Sequence, residues 1–235
     1  MRLDQAIAAR FPDISRRKAR DLLSAGRVLV NERRVSIASR EVADNDHIRI
    51  IEELPDVPVL RSTSDWIAVN KPAGMPTQPA RDRAHLSLEE ILRAKHKKIW
   101  LVHRLDTPTS GVVVFARSSQ AAARLSRMFA SREMRKTYVA RLDPPITHQM
   151  TIDTPIDGHE ALTTLRPLQR DVVEVEIVTG RTHQIRRHVA SIGHPVIGDR
   201  RYGSTINVPR LMLHAWRLEH ADLGLIEAPV PPEFL

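Results

Sequence analysis

The chain has 235 residues, with 36 lysines and arginines against 28 aspartates and glutamates, and its formal net charge at pH 7 is +8. A basic balance of this size favours a polyanionic partner such as nucleic acid, although charge alone leaves an inert basic surface equally open. The absence of cysteine excludes disulfides and thiolate metal ligands, and no apolar run approaches the roughly 18 residues of a membrane span. We therefore expect a cytoplasmic protein with no membrane partner.

The first 52 residues are predicted to form a small domain of two helices and a short sheet. Apolar residues recur every four positions from Leu3 to Phe11, which places them on one helix face. A second helix is predicted to start after an N-cap at Ser15 and to end before Gly26. Short apolar stretches at residues 28–30 and 48–50, separated by polar turns, indicate strands.

The polar face of the second predicted helix carries a basic cluster of Arg16, Arg17, Lys18 and Arg20. A cluster of this kind is ordinarily a solvated helix face. The surrounding residues, 2–35 and 44–50, resemble the small RNA-binding domain first seen in a small-subunit ribosomal protein. That resemblance implies that the basic cluster binds RNA phosphates, contacts that position a protein on RNA without reading its sequence.

Residues 53–62 contain two prolines and little periodicity, and they are predicted to form a short, fairly stiff linker. A second domain is predicted over residues 63–235. Strand-like stretches alternate there with helical ones, the strands at 66–69, 112–116, 138–142 and 172–178 and the helices at 120–131 and 182–192. Few spacings suit βαβ units, so the pattern predicts an α+β fold with a mixed, largely antiparallel sheet.

Three groups of polar residues lie beside these strands, at residues 70–74, 102–111 and 179–186. Active sites are often built from such loops. Each group also has a plain structural interpretation: a turn for the first, an exposed Arg104–Asp106 ion pair for the second and a helix start capped by Thr182 for the third.

Together the three groups resemble the RNA pseudouridine synthase family, in the branch that modifies large-subunit ribosomal RNA and some transfer RNA. The pattern His-Arg-Leu-Asp-x-x-Thr-Ser-Gly is met by residues 103–111, and Gly-Arg-Thr-His-Gln-Ile-Arg by residues 180–186. Pro108 and Arg187 depart from the usual pattern. The resemblance spans about residues 63–235. It implies a monomeric enzyme that isomerises uridine to pseudouridine in ribosomal or transfer RNA, without a cofactor or a metal.

The resemblance also assigns roles to single residues. Asp106 is the essential carboxylate, which either attacks the anomeric carbon or removes a sugar proton. Arg181 is its ion-pair partner, and Tyr138 stacks on the base. Arg104 helps to extrude the target nucleotide from its helix, and Lys71 contributes to RNA binding.

Three other classes of protein would account for part of this pattern. A metalloenzyme would use histidines such as His183, His188, His194 and His214, but the chain has no His-Glu-x-x-His pattern. A non-catalytic RNA-binding or ribosome-assembly factor would share the basic helix but would not need the set of Asp106, Tyr138 and Arg181. An RNA methyltransferase would need a glycine-rich cofactor loop, and the sequence has no G-x-G-x-x-G.

Overall fold

The computed structural model describes residues 1–79, 86–96 and 98–235. The chain folds as two compact units, the first made of residues 1–56 with the described part of 76–99 and the second of residues 57–75 with 100–235. The domain boundaries that the sequence suggests stay a prediction. Across the described ranges, no helix has the length and apolar character needed to cross a membrane.

The first unit contains three helices and three short strands. They are α1 (Leu3–Arg10), α2 (Arg16–Ser24), α3 (Leu88–Lys95), β1 (Val28–Val30), β2 (Arg33–Arg34) and β3 (Ile48–Ile50). The strands form an antiparallel sheet in the order β2-β1-β3, and apolar residues of α1, α2 and this sheet share one core. Ser15 caps α2 by accepting from the Lys18 amide at 3.2 Å, and Gly26 has the left-handed φ of +67° that ends the helix, as predicted.

The helix α3 was not predicted from the sequence. Its start is a capping box, in which Ser87 Oγ accepts from the Glu90 amide at 3.2 Å and the Glu90 carboxylate accepts from the Ser87 amide at 2.9 Å. Leu88, Ile91 and Leu92 form its buried face. The Ser-x-x-Glu pattern before an apolar run was therefore a readable signal for this helix.

The second unit is built on one mixed sheet of ten strands. The strands are β4 (Val59–Ser62), β5 (Trp66–Lys71), β6 (Trp100–Leu101), β7 (Ser110–Ala116), β8 (Arg135–Arg141), β9 (Met150–Ile152), β10 (Thr163–Gln169), β11 (Val172–Ile177), β12 (Leu213–His220) and β13 (Gly224–Glu227), and the helices are α4 (Ser119–Ala130) and α5 (Gln184–Ser191). The main strand order is β4-β5-β7-β12-β8-β11-β10-β9. Every pair in it is antiparallel except β7 with β12, which confirms the predicted mixed, largely antiparallel sheet.

Residues Val59–Ser62, assigned to the linker in the sequence analysis, instead form the edge strand β4. Val59 lies opposite Val69 of β5, so the backbone of this segment pairs with the sheet. The prolines at 55 and 58 precede the strand and leave its amides free to pair.

The parallel pairing of β7 with β12 joins two halves of the sheet, each with its own hydrophobic core. The register places Ser110 opposite His214 and Gly111 opposite Ala215. Gly111 has a φ of +118°, and a Cβ at this position would lie 2.1 Å from the Ala215 carbonyl oxygen. Only glycine permits this close approach of the two strands.

Candidate active site

Lys71 lies at the end of β5 beneath the loop that carries Asp106. Its side chain is fully buried, and its ammonium donates to the carbonyls of Pro72 at 3.0 Å, Met75 at 2.7 Å and Thr107 at 3.1 Å. Burial lowers the pKa of Lys71 to about 7, and the negative charge of Asp106 opposes this effect. All three donors of the ammonium are used within the protein. The prediction that Lys71 binds RNA is therefore corrected: this lysine fixes the loop beside Asp106.

Asp106 is held by a chain of charged groups that ends at a buried carboxylate. Its Oδ2 accepts from Arg186 Nη1 at 3.3 Å, and its side chain remains 21% exposed. Arg186 also donates from Nε and Nη2 to the two oxygens of Asp199, at 2.6 and 2.8 Å, and Asp199 is only 2% exposed. Burial disfavours the charge of Arg186, but the two carboxylates outweigh it and raise the pKa of its guanidinium.

The predicted ion-pair partner, Arg181, does not occupy that place. Its Nε donates to the carbonyl of Glu160 at 2.9 Å, and the structure as described contains no ion pair between Arg181 and Asp106. The cause lies in the backbone between the two arginines. His183 has a left-handed φ of +54° and starts α5, so Arg181 stays on an exposed loop while Arg186 lies on a buried part of the helix. The ion-pair assignment is therefore corrected from Arg181 to Arg186.

Gln184 fixes the loop that leads into α5. Its Oε1 accepts from Thr179 Oγ1 at 2.7 Å and from the Arg181 amide at 3.0 Å, while its Nε2 donates to oxygens of residues 162–163 at 2.9 and 3.1 Å. These four bonds saturate a buried amide side chain. The sequence analysis offered Thr182 as the cap of this helix, but the N-cap of α5 is His183, which makes no side-chain cap. Gln184 instead holds the start of the helix in place.

His183 lies between Asp106 and a tyrosine. Its Nε2 is 3.7 Å from Asp106 Oδ1, and its Nδ1 shares a hydrogen bond of 2.8 Å with the hydroxyl of Tyr202. Burial lowers the pKa of His183, and the neighbouring Asp106 opposes this effect. The guanidinium of Arg186 stacks over the ring of Tyr202 at 5.0 Å. Histidine, tyrosine and arginine thus support one another around the carboxylate.

The free face of Asp106 opens on a small, solvent-open cleft with a volume of about 90 Å³. The charged and aromatic residues of its lining are Arg104, Asp106, Tyr138, Arg181, His183 and Arg186. Burial and the charge of Asp106 raise the pKa of Tyr138, so its hydroxyl stays protonated. Arg104 is exposed and has no hydrogen bond or ion pair with any residue that the structure describes. The predicted set of Asp106, Tyr138, Arg181 and Arg104 is therefore brought to one cleft.

In the first unit, the basic face of α2 is organised around one buried carboxylate. Asp4 is 0% exposed, and it accepts from Arg20 at 3.0 Å and from Arg16 and Arg2 at 3.2 Å each. Burial alone would raise the pKa of Asp4, but the hydrogen bonds from Arg20, Arg16 and Arg2 lower it to about 2. The three arginine side chains remain about half exposed.

The other two members of the basic cluster, Arg17 and Lys18, are exposed and form no ion pair within the described residues. The predicted phosphate-binding cluster thus divides into a pair tied to Asp4, Arg16 and Arg20, and a free pair, Arg17 and Lys18. Both pairs are accessible to a ligand. Their binding of RNA stays a prediction.

The four histidines considered as metal ligands have separate partners. His188 bonds to Thr163 and to the Thr154 carbonyl, at 2.9 Å each, and His194 bonds to the Pro144 carbonyl at 2.7 Å. His214 is buried and shares a hydrogen bond of 2.8 Å with Ser110 Oγ. In the parts of the chain that the structure describes, no group of three or more histidine, aspartate or glutamate side chains is arranged to hold a metal ion.

Sequence reasoning gave no role to four residues around Asp106, namely His183, Arg186, Asp199 and Tyr202. His183 and Arg186 fall within the motif at residues 180–186, so a signal for these two was present. What the motif could not show is which of two arginines, five positions apart, faces the carboxylate.

Comparison with known proteins gives two family matches. The model described as RNA pseudouridylate synthase matches residues 65–191, and the S4 domain model matches residues 1–48. An uncharacterized RNA pseudouridine synthase of Aquifex aeolicus is 32% identical over 90% of this chain and 80% of its own length. Ribosomal large subunit pseudouridine synthase D of Haemophilus influenzae is 29% identical over 100% of this chain and 89% of its own length.

A solved structure is similar to the chain as well. Human RNA pseudouridylate synthase domain containing 1 superposes with a TM-score of 0.66 and 29% identity, over 77% of this chain and 85% of that one. The similarity of sequence and the similarity of fold therefore agree.

Proposed function

Because the chain belongs to the RNA pseudouridine synthase family and has an N-terminal S4 domain, we propose that it isomerises one or more uridines of large-subunit ribosomal RNA to pseudouridine, with Asp106 as the essential carboxylate. The family acts on RNA. The name of the Haemophilus influenzae relative supports ribosomal RNA as the first substrate to test. Transfer RNA is the alternative that the same experiment examines.

The isomerisation adds no atom and removes none. The bond between the ribose C1′ and N1 of uracil breaks, the uracil turns, and a bond forms between C1′ and C5. The hydrogen on C5 is then lost while N1 gains one. A single carboxylate suits this chemistry, either as a nucleophile on C1′ or as a base toward a sugar proton.

The observation that carries the proposal is the arrangement of Asp106, Arg186 and Asp199. Arg186 orients Asp106 through an ion pair of 3.3 Å, and Asp199 fixes Arg186 on its other side by two hydrogen bonds. The face of Asp106 that is free of Arg186 opens on the cleft. A carboxylate that is fixed in place and still accessible meets the needs of the first step.

Two further side chains have roles in the proposal. The ring of Tyr138 lines the cleft and stacks on the uracil, an interaction worth about 1 to 3 kcal/mol for a base on an aromatic ring. Arg104 is exposed at the same cleft and stabilises the extruded nucleotide, since a base inside a helix must be flipped out to reach the carboxylate. Arg186 takes the ion-pair role that the sequence analysis gave to Arg181.

The test is to incubate purified protein with unmodified transcripts of large-subunit ribosomal RNA and of transfer RNAs, and to map pseudouridine in each. We expect pseudouridine at defined positions of the ribosomal transcript with the wild type and none with Asp106→Asn. The control is Asp222→Asn, since Asp222 is an exposed aspartate outside the cleft. Modification of transfer RNA alone would move the substrate to the alternative, and no pseudouridine in either RNA would overturn the proposal.

A further inference from the structure

Lys136 on β8 is a cation without a partner. The residue is 8% exposed, and its ammonium makes no hydrogen bond or ion pair with any residue that the structure describes. Lys71 is buried to a similar degree but donates to three carbonyls. The Nζ of Lys136 is not among the enclosed side-chain atoms that lack a hydrogen bond, so the stem of Lys136 is buried while the ammonium still reaches solvent. Lys136 therefore has no structural partner for its charge, and a ligand can reach it.

The position of Lys136 indicates where that ligand binds. Side chains two residues apart on a strand point to the same face, so Lys136 shares a face with Tyr138. Lys136 also lies opposite Ile177 of β11, and both Tyr138 and Ile177 line the cleft of Asp106. Its Nζ is 4.0 Å from the place that a Cβ would take on Gly180, another lining residue. The ammonium thus lies beside the cleft, next to the loop of residues 179–181.

The charges around Lys136 define the chemistry of the missing ligand. Burial lowers the pKa of Lys136, with no carboxylate near enough to oppose this effect. The charge of Lys136 acts on His103: the pKa of His103 is lowered to about 3 by burial and, secondly, by the charge of the lysine. A neutral carbonyl would satisfy a donor but would leave the positive charge uncompensated. An anionic oxygen does both.

We propose that Lys136 binds a phosphodiester group of the nucleotide that enters the cleft, on the 5′ or the 3′ side of the target uridine. The proposal rests on the proposed function, since RNA is the polyanion that reaches this cleft. An ammonium is a compact point charge that suits a phosphate oxygen. Lys136 would then add one phosphate contact within the catalytic unit itself, separate from the basic helix α2.

The first experiment uses Lys136→Met, which keeps the length of the side chain and removes its charge. Binding to the unmodified ribosomal transcript is measured over a series of KCl concentrations, and thermal unfolding is measured without RNA. We expect affinity to fall about tenfold and the magnitude of the salt slope to fall by about 0.7 to 0.9, the value for one phosphate contact. The melting temperature without RNA should stay nearly the same, because the substitution breaks no ion pair or hydrogen bond that the described residues make.

The matched control is Lys98→Met, which removes the same charge from an exposed position outside the cleft. It should change affinity by less than about twofold and leave the slope nearly unaltered, as expected for a solvated charge. Lys136→Arg keeps the charge and should restore the slope. A lower melting temperature of Lys136→Met together with an unchanged salt slope would overturn the proposal and show a structural role.

The second experiment locates the phosphate once the modified uridine is mapped. Short RNAs carry a neutral methylphosphonate at one of the two phosphates that flank the target, and single-turnover rates are compared. We expect one of these substitutions to slow the wild type about tenfold and to have no further effect on Lys136→Met. Equal sensitivity of both proteins at both positions would overturn the proposal and favour a base carbonyl as the ligand. The binding experiment needs no turnover, so it still tests Lys136 if the wild type forms no pseudouridine.

Discussion

Two aspartates of this molecule, Asp4 and Asp106, form ion pairs with arginines, and the two clusters differ in which partner is exposed to solvent. Asp4 in the first unit is 0% exposed and accepts from three arginines, each about half exposed. Asp106 in the second unit keeps 21% of its side chain exposed, and its arginine, Arg186, is itself buried and fixed by a second carboxylate. In the first cluster the cations face solvent, whereas in the second the carboxylate does.

This difference fits the roles proposed for the two clusters, a phosphate-binding surface and a reaction centre. Around Asp4, the carboxylate orders three arginines that remain about half exposed, and the predicted binding of RNA phosphates would use their exposed side. Around Asp106, the cation is enclosed and the carboxylate remains accessible to a substrate. The same kind of ion pair thus leaves either the cation or the carboxylate accessible, according to which partner is buried.

The largest expected effect contrasts the two aspartates directly. Asp106→Asn keeps the shape of the side chain but loses the nucleophile or base, so we expect the single-turnover rate to fall at least about a thousandfold, or about 4 kcal/mol of barrier. RNA affinity should stay close to that of the wild type. Asp4→Asn is the counterpart and should change the rate at saturating RNA by less than about tenfold. Residual turnover of Asp106→Asn above a few per cent would refute its role.

The second prediction concerns the buried cation. Arg186→Met leaves Asp199 buried without its partner, so we expect the free energy of unfolding to fall by about 3 to 5 kcal/mol. The double variant Arg186→Met/Asp199→Asn removes the orphan charge and should recover much of that stability, but not the rate of pseudouridine formation. Urea unfolding and single-turnover assays measure the two quantities.

Arg181→Met is the control for this prediction. Its side chain is exposed, so stability should change by less than about 0.5 kcal/mol. A loss of rate in Arg181→Met as large as that in Arg186→Met would restore the assignment made from sequence.

The third prediction uses pH to isolate Asp4. Its pKa is about 2 in the fold against an ordinary value of 3.8, so its contribution to stability is fully present above about pH 4 and is lost as the pH falls through about 2. We expect Asp4→Asn to be less stable than the wild type by about 2 kcal/mol at pH 5, the scale of hydrogen bonds to a charged group. The difference should shrink toward pH 2. A difference that does not depend on pH would mean that its charge is not what stabilises the fold.

The smallest expected effect compares the two pairs of basic residues on α2. Arg17→Gln/Lys18→Gln should reduce the magnitude of the salt slope of RNA binding by about 1.4 to 1.8, the value for two phosphate contacts. Arg16→Gln/Arg20→Gln should reduce it by less, because the charge of Asp4 already offsets part of theirs. Rates at saturating RNA should stay within about tenfold for both variants. An unchanged slope in both would show that the helix is only a solvated face.

The sequence predicted the fold class, the basic helix and the polar loop that carries Asp106, because each depends on residues close together in the chain. Caps such as Ser15 and turns such as Gly26 act locally, and their effect can be read from a few neighbours. Arg104, Asp106 and Arg181 were identifiable for the same reason, since they fall in two short motifs, whereas Tyr138 lies outside both and was identified through the family resemblance.

The errors concern where a side chain points, not which residues lie near the site. Lys71 was taken for an RNA ligand, but its ammonium points inward to three carbonyls that no sequence pattern reveals. Arg181 and Arg186 are equally plausible partners in the sequence, and the left-handed backbone of His183 decides between them. Such a conformation is uncommon in a residue with a side chain, so propensity does not predict it.

Asp106 and Arg186 come from the two halves of the sheet that meet where β7 pairs with β12. The loop of Asp106 leads into β7, whereas Arg186 follows β11, which lies on the other side of β12. In the sheet, the two halves are joined by only two residue pairs between the parallel strands β7 and β12. Gly111 therefore keeps β7 and β12 close together, because a side chain at this position would clash with the Ala215 carbonyl and push the two strands apart. A misplacement of about 1 Å can cost about a hundredfold in rate, so the alignment of this carboxylate depends on a residue that has no chemistry of its own.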